Sequence, residues 1–507
     1  MPRPHLLQCL AAALLPLLAA CQFQPSSPSS RPFFTVKPNG GFNWFLDNRA
    51  LLDGDKIIVG SIAGTTARGS NYGDVQITAY DLSTNTRTTA TLAPAFAPPF
   101  TADDHMAPVL LKRSDGRYLA AFTKHDLDNL MRWSLSTRPN DASAWDPLKT
   151  VSGNSLDDHG MCFSNLIQLP APPISPNAAA TAAPRPGRIF NFTRGPGDDP
   201  NYMLSDDNGL TFKYGGHILL WDNPDPKNPG RPYIKYAAAN TNQIWMACTQ
   251  DHPNELPTGT GIYASFIRNN AIFTSNATRI GPLSTTTDAT IKPTQLTEVF
   301  KGAPDAVAYL DDLKIGPDNQ PVLTFSVRKD DGHDLRYYFA RFDGRDWHSR
   351  EIAHAGTTIY MGESNYAGLA AIDNFDPYTL FISANSDPVI GTALKSTADG
   401  KRHFEIFQGT STDQGQTFTW QPLTSNSPVD NIRPLVPLRS SPRRILLWLR
   451  GTMTTYKNFD LDIVGILDPT APKMPLPLHM QAKISASPKT DSTLASGDRS
   501  VDARAAQ

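Results

Sequence analysis

Apolar and polar residues alternate along this chain in short runs, and turn residues separate the runs. Lys56-Ile57-Ile58-Val59-Gly60, Val75-Gln76-Ile77-Thr78-Ala79-Tyr80, Tyr118-Leu119-Ala120-Ala121-Phe122 and Pro321-Val322-Leu323-Thr324-Phe325 are representative. These are strand-length segments, and Asp115-Gly116 and Asp343-Gly344 are typical of the turns between them. No stretch carries the period of a long amphipathic helix. The 44 prolines belong in loops and at sheet edges. The pattern predicts an all-β protein built of antiparallel sheet.

One longer pattern occurs twice. Ser205-Asp206-Asp207-Asn208-Gly209-Leu210-Thr211-Phe212 and Ser411-Thr412-Asp413-Gln414-Gly415-Gln416-Thr417-Phe418 both fit S-x-D-x-G-x-T-F. The Asp is suited to accept backbone N–H bonds across a tight turn, and the Gly to take a left-handed conformation. The Phe would anchor the hairpin between neighbouring sheets. This segment resembles the Asp box of sialidase-type propellers, where it is structural. The two copies start 206 residues apart, about three repeats of roughly 60–70 residues each. The expectation is a single β-propeller over residues 33–468 with antiparallel four-stranded blades. Seven blades fill that length best, and six would also fit.

The termini read differently. Arg3, the apolar stretch Leu10 to Ala20 and Leu18-Ala19-Ala20-Cys21 resemble a bacterial lipoprotein signal peptide over residues 1–20. Lipidation of Cys21 would anchor the chain, and Gln22 after it favours the outer membrane. Residues 21–32 form a Ser/Pro-rich tether, and 469–507 a tail without aromatics, expected to be disordered. The location expected is the bacterial cell envelope.

Composition narrows the function classes. A net charge of -2 offers no basic surface for nucleic acid. After the signal no apolar run reaches about 18 residues, so the body is not expected to span a membrane. Removal of Cys9 and lipidation of Cys21 leave Cys162 and Cys248. Export permits a disulfide between them, and the sequence leaves that open. A monomer is expected.

Further motifs resemble the BNR-repeat propellers that include the propeller-type ulvan lyases. They are, in order, Gly41-Phe42-Asn43-Trp44-Phe45-Leu46-Asp47-Asn48-Arg49, Asp103-Asp104-His105-Met106-Ala107-Pro108, Phe122-Thr123-Lys124-His125 and Phe192-Thr193-Arg194-Gly195. Arg231-Pro232-Tyr233-Ile234-Lys235-Tyr236, Thr249-Gln250-Asp251-His252-Pro253, Val429-Asp430-Asn431-Ile432-Arg433-Pro434 and Trp448-Leu449-Arg450-Gly451 complete the set. The resemblance implies β-elimination on an acidic, uronate-containing polysaccharide. That chemistry needs a cation for the carboxylate, a base for the C5 proton and an acid for the leaving O4. His105, His125 and Arg194 occupy the matching catalytic positions. Imidazole titrates near neutrality, and guanidinium grips carboxylates through two bonds. Arg49, Asn165, Tyr233, Lys235, His252, Arg433 and Arg450 are the substrate-binding candidates.

One residue departs from the family. Phe163 stands where those lyases carry a catalytic Tyr, and Phe cannot move a proton. His159 or Tyr202 is a candidate replacement. The departure keeps open a non-catalytic glycan-binding protein. A sialidase-type hydrolase is weaker: its R-I-P entry motif is missing, and Glu363 with Tyr360 or Tyr366 is an unspecific grouping. His252 with Cys248 offers two metal ligands, fewer than zinc needs. No cofactor is expected.

Overall fold

The computed structural model describes residues 33–468 except 65–71, 96–101, 154–159, 171–186, 221–229, 240–241, 255–258, 331 and 440–442. The signal peptide, Cys21, the tether at 21–32, the tail at 469–507 and His159 lie outside the described residues. Seven sheets surround a common hub, so the chain is a seven-bladed β-propeller. Among the described residues the only helical elements are three-residue 3-10 turns. The innermost strands, in order, are Ala50–Asp53, Val109–Lys112, Cys162–Gln168, Tyr233–Ala239, Val307–Ile315, Ala370–Ile372 and Asp430–Leu435. They define blades 1 to 7. Successive inner strands start 53 to 74 residues apart, and this uneven spacing is what blurs the repeat in the sequence.

The ring closes on itself. Phe34–Lys37, near the N-terminus, pairs antiparallel with Asn458–Asp468 and completes blade 7 from outside. Most blades have four antiparallel strands. Blade 1 gains Leu438–Arg439 in parallel, and blades 2 and 4 carry additional short strands. Each blade is covered on both faces by its neighbours. Central strands such as Tyr118–Thr123 are therefore buried at every position, and their alternation is weaker than in a sheet with one wet face.

The two S-x-D-x-G-x-T-F segments turn between the third and fourth strands of blades 3 and 6. Their hydrogen bonds are the same. Thr211 N donates to Asp207 Oδ1 and Thr417 N to Asp413 Oδ1, each at 2.9 Å. Gly209 N and Gly415 N donate to the Oγ of Ser205 and Ser411 at 2.8 Å. Phe212 packs edge-on against Trp133 of blade 2, and Phe418 against Phe339 of blade 5. Each hairpin thus locks its blade to the preceding one.

Residues 41–49 fill the hub. Gly41 pairs with Ile62 of blade 1. Asn43 N donates to Asp104 O beside blade 2, and Leu166 N of blade 3 donates to Asp47 O. The Lys235 ammonium of blade 4 donates to Trp44 O and Asp47 Oδ2. Trp44 Nε1 donates to Leu310 O of blade 5, and Arg433 Nη1 of blade 7 to Phe42 O. Phe42, Trp44, Phe45 and Leu46 are all buried. An apolar plug tied by buried polar bonds replaces the water that an open channel would hold.

A glycine pair tests the hairpin lock. Gly415 has φ +84°, and a Cβ there would lie 2.3 Å from the Phe339 ring. Gly400 has φ +73° with open space around it. Gly400→Ala should cost about 1–2 kcal/mol, the left-handed penalty alone. Gly415→Ala should cost about 1–3 kcal/mol more, because the ring must move. Urea midpoints of the two variants measure the difference.

Candidate functional site

Loops that enter the inner strands, and loops that leave the second strands, meet at one end of the hub. Asp103 caps a 3-10 turn, Asp104–Met106, just before blade 2, and its side chain accepts from His105 N. This turn directs His105 inward. His125 follows Tyr118–Thr123, the second strand of the same blade. The two imidazoles stack with ring centroids 3.9 Å apart and planes inclined by 21°. One carboxylate holds both: Asp103 Oδ1 lies 2.8 Å from His105 Nδ1, and Oδ2 lies 2.9 Å from His125 Nδ1. Asp104 Oδ1 lies 2.9 Å from His105 Nδ1, and Asn43 Nδ2 lies 3.3 Å from its Nε2. Both nitrogens of His105 therefore face protein. His125 is the more exposed ring, with 15% of its side chain open against 7% for His105.

Arg194 ends the second strand of blade 3 and reaches the same point. Its Nη2 is 2.8 Å from Asp126 Oδ2, and that oxygen is 3.3 Å from His125 Nε2. Its Nη1 donates to Tyr233 Oη at 3.1 Å. The guanidinium carbon lies 5.3 Å from the Phe163 ring centroid and 5.6 Å from that of Tyr233. A line of groups results: His125, Asp126, Arg194, Tyr233. Tyr233 contacts His252 edge-on, and Glu363 lies 3.8 Å beyond His252. Tyr309, Tyr366 and Trp44 continue the aromatic wall. Tyr456, from the last hairpin of blade 7, closes the opposite side against both imidazoles.

Burial and charge set the protonation states. Burial alone would lower the pKa of His105, but Asp103 and Asp104 outweigh it and push it up to about 9. Burial lowers the pKa of His125, and the charge on His105 lowers it further, against the pull of Asp103. His125 is thus a neutral imidazole beside a charged one. Burial would raise the Asp103 carboxyl, yet the two imidazoles hold it well below the ordinary range. Burial, with the charges of Arg231 and Arg194, pushes His252 down to about 3. The Tyr233 hydroxyl is pushed up by burial, with Arg194 pulling the other way, so it stays protonated at neutral pH.

The structure brings together His105, His125, Arg194, Tyr233 and His252. Phe163 sits among them, 5.3 Å from the His105 ring centroid. The other candidates lie elsewhere. Arg49, Asn165 and Lys235 are buried in the hub around Asp47. Arg433 is fully buried, paired with Asp104 behind the histidines. Arg450 lies on blade 7 with its guanidinium over Phe33. Tyr202 is buried in the cluster between blades 3 and 4, with its hydroxyl on Ser284 O. Cys162 and Cys248 are separate free thiols. Cys248 packs among Ile234, Tyr236 and Met246. Asp103 and Asp126 flank the two histidines in the sequence, and that adjacency was the available signal for them. Tyr366 belongs to the acid–Tyr grouping with Glu363 noted in the sequence, whereas Tyr309 and Tyr456 carry no local motif.

No family model matches the chain, and no curated protein does. Solved structures do. An ulvan lyase of a polysaccharide lyase family, bound to a GlcA-containing fragment, aligns with a TM-score of 0.58 at 14% identity, covering 86% of this chain and 94% of that one. The polysaccharide lyase Uly1 aligns with a TM-score of 0.51 at 9% identity, over 83% of this chain and 90% of that one. At these identities the likeness establishes a shared propeller fold.

Two measurements probe the site's electrostatics. The folded pKa of His105 is raised above its unfolded value of 6.5. Its protonation therefore stabilises the fold fully below pH 6.5, and that contribution is lost as the pH rises through about 9. Urea titrations should show stability falling by up to about 3 kcal/mol over this window, and His105→Gln should reduce that slope, leaving the part due to His217 and His403, whose pKa values are also raised. In the hub, Lys235→Met removes the main partner of the half-buried Asp47 and leaves it with Arg49, 3.6 Å away. A loss of about 1–3 kcal/mol is expected from chemical denaturation.

Proposed function

We propose that this chain is an exported polysaccharide lyase that cleaves a uronate-containing glycan by β-elimination. The observation that carries the reading is the meeting of the partly open His125 imidazole and the Arg194 guanidinium on one Asp126 oxygen, with the Tyr233 hydroxyl on the guanidinium's other side. The fold it shares with two polysaccharide lyases supports the substrate class. In this reading Arg194 receives the uronate carboxylate, in competition with the exposed side chain of Asp126. Charge on the carboxylate is thereby offset, and the C5 proton becomes removable. His125 Nε2 takes that proton, while Asp103 fixes the ring through Nδ1. The electron pair of the C5–H bond forms the C4–C5 double bond, and the C4–O4 bond breaks. Tyr233, on the other side of the guanidinium, gives its hydroxyl proton to O4.

His105 acts through its neighbour. Added to burial, its charge lowers the pKa of His125, and its stacked ring fixes the geometry, so it is a positioning residue. Phe163 packs against Arg194 where a second hydroxyl would otherwise stand. Arg49, Asn165, Lys235 and Arg433 hold the hub that supports the site. Cys21 tethers the enzyme to the cell envelope in this reading, with the outer membrane favoured by Gln22.

A non-catalytic glycan binder is the second reading, and Phe163 is the feature that favours it. An absorbance assay on a panel of acidic polysaccharides decides between them. The lyase reading expects a rise from the unsaturated uronate product. His125→Gln should lower the rate by roughly 100-fold or more, and Phe163→Tyr should raise it. Retention on an acidic-glycan gel with no absorbance change, in wild type and in Phe163→Tyr, would overturn catalysis and leave binding.

A further inference from the structure

Beside the proposed base lies a thiol that the elimination does not use. Residues 124–128 fold onto the entry of blade 3. Asp126 N donates to Met161 O at 3.3 Å, and Met161 N donates to Asp128 O at 2.8 Å. Gly160 permits this contact, since a Cβ there would come within 2.3 Å of the Asp126 backbone. Two non-glycine residues adopt left-handed backbone at this junction, Asp126 with φ +54° and Phe163 with φ +64°. Such conformations cost about 1–2 kcal/mol each, and tertiary packing imposes them. The outcome is a three-residue cluster. One ring nitrogen of His125, an Asp126 carboxylate oxygen and Cys162 Sγ all lie within 4.8 Å of one another.

The donor set has a chemical preference. Thiolate and imidazole select zinc-class ions over calcium or magnesium, which demand oxygen. A tetrahedral zinc ion with bonds of about 2.0–2.3 Å spaces its ligands roughly 3.3–3.8 Å apart. His125 Nε2 and Asp126 Oδ2 already stand 3.3 Å apart, and the thiol completes the set within 4.8 Å. The supporting shell is also present. Asp103 accepts from His125 Nδ1 and aims Nε2 at the cluster, the arrangement that orients metal-bound histidines. Asp126 and the Cys162 thiolate together offset a divalent charge, which limits repulsion from Arg194.

We propose that His125, Asp126 and Cys162 form a site for one zinc-class divalent cation, whose occupancy blocks the base of the elimination centre. On binding, a metal–sulfur bond forms and the Cys162 proton passes to solvent. No oxidation state changes, and water takes the remaining coordination position. The His125 Nε2 lone pair cannot hold both a metal and the C5 proton. The inhibitory half of the proposal rests on the lyase reading; the metal site itself does not.

Cobalt(II) tests the site on the full-length, chelator-stripped protein. Titration should produce a thiolate-to-cobalt charge-transfer band that saturates at one equivalent. Cys162→Ser should abolish the band and Cys248→Ser should leave it. Asp103→Asn, which keeps all three ligands, should weaken cobalt binding by roughly 10- to 100-fold. No saturable band in wild type, or a band that follows Cys248, would overturn the site. In the absorbance assay, zinc should lower the lyase rate and chelator should restore it. An active enzyme indifferent to bound zinc would overturn the inhibition. A cobalt band in a protein inactive with and without chelator would sink the lyase reading and leave the metal site standing.

Discussion

The plug of residues 41–49 is the constraint on which the rest of the molecule depends. Seven twisted sheets arranged radially leave a hole at their axis, lined by the edge-strand backbone groups of the innermost strands, which water or protein must satisfy. This chain fills the hole with Phe42, Trp44, Phe45 and Leu46. The plug then needs its own backbone satisfied, and the blades supply the partners. Lys235 takes Trp44 O and the Asp47 carboxylate, Arg433 takes Phe42 O, and Leu166 N takes Asp47 O. Burying Lys235 is expensive, and Asp47 offsets that cost only partly: burial still brings the lysine down to about 8.

The hub and the candidate site share residues. Asn43 of the plug touches Asp104 and His105. Phe45 packs on Phe163 and Tyr233, and Arg433 binds both Phe42 O and Asp104. The plug is therefore the floor of the site. Rigid support of this kind lets Asp103 hold two imidazoles on its two oxygens, with one ring charged and the other neutral. Pairs whose surroundings drive their pKa values apart are where acid–base roles separate. The same support places a thiol and a carboxylate against His125, so one nitrogen lone pair has two prospective uses.

Much of the architecture was legible in the chain. Short alternating runs gave strands, and turn residues gave their ends. The two S-x-D-x-G-x-T-F segments marked equivalent hairpins in blades 3 and 6, three blades apart as their spacing implied. These signals are local: a turn needs its Asp, Gly and Thr within a few residues, so the sequence displays them side by side. His105, His125 and Arg194 could be nominated because each sits in a compact motif.

Which nominated residues meet was decided only by the closed ring. Arg49, Lys235 and Arg433 look like ligands for an acidic glycan in one dimension. In three they are consumed by the hub, because a buried axis requires internal countercharges and the longest cationic side chains reach it. Tyr456 joins the histidines from a hairpin in the last blade, and Cys162 meets Asp126 through packing of two loops. The sequence by itself determined strands, hairpins and the candidate donors. The tertiary structure decided the blade count, the protonation pattern and the site's membership, because burial and proximity across blades depend on closure, which no local segment encodes.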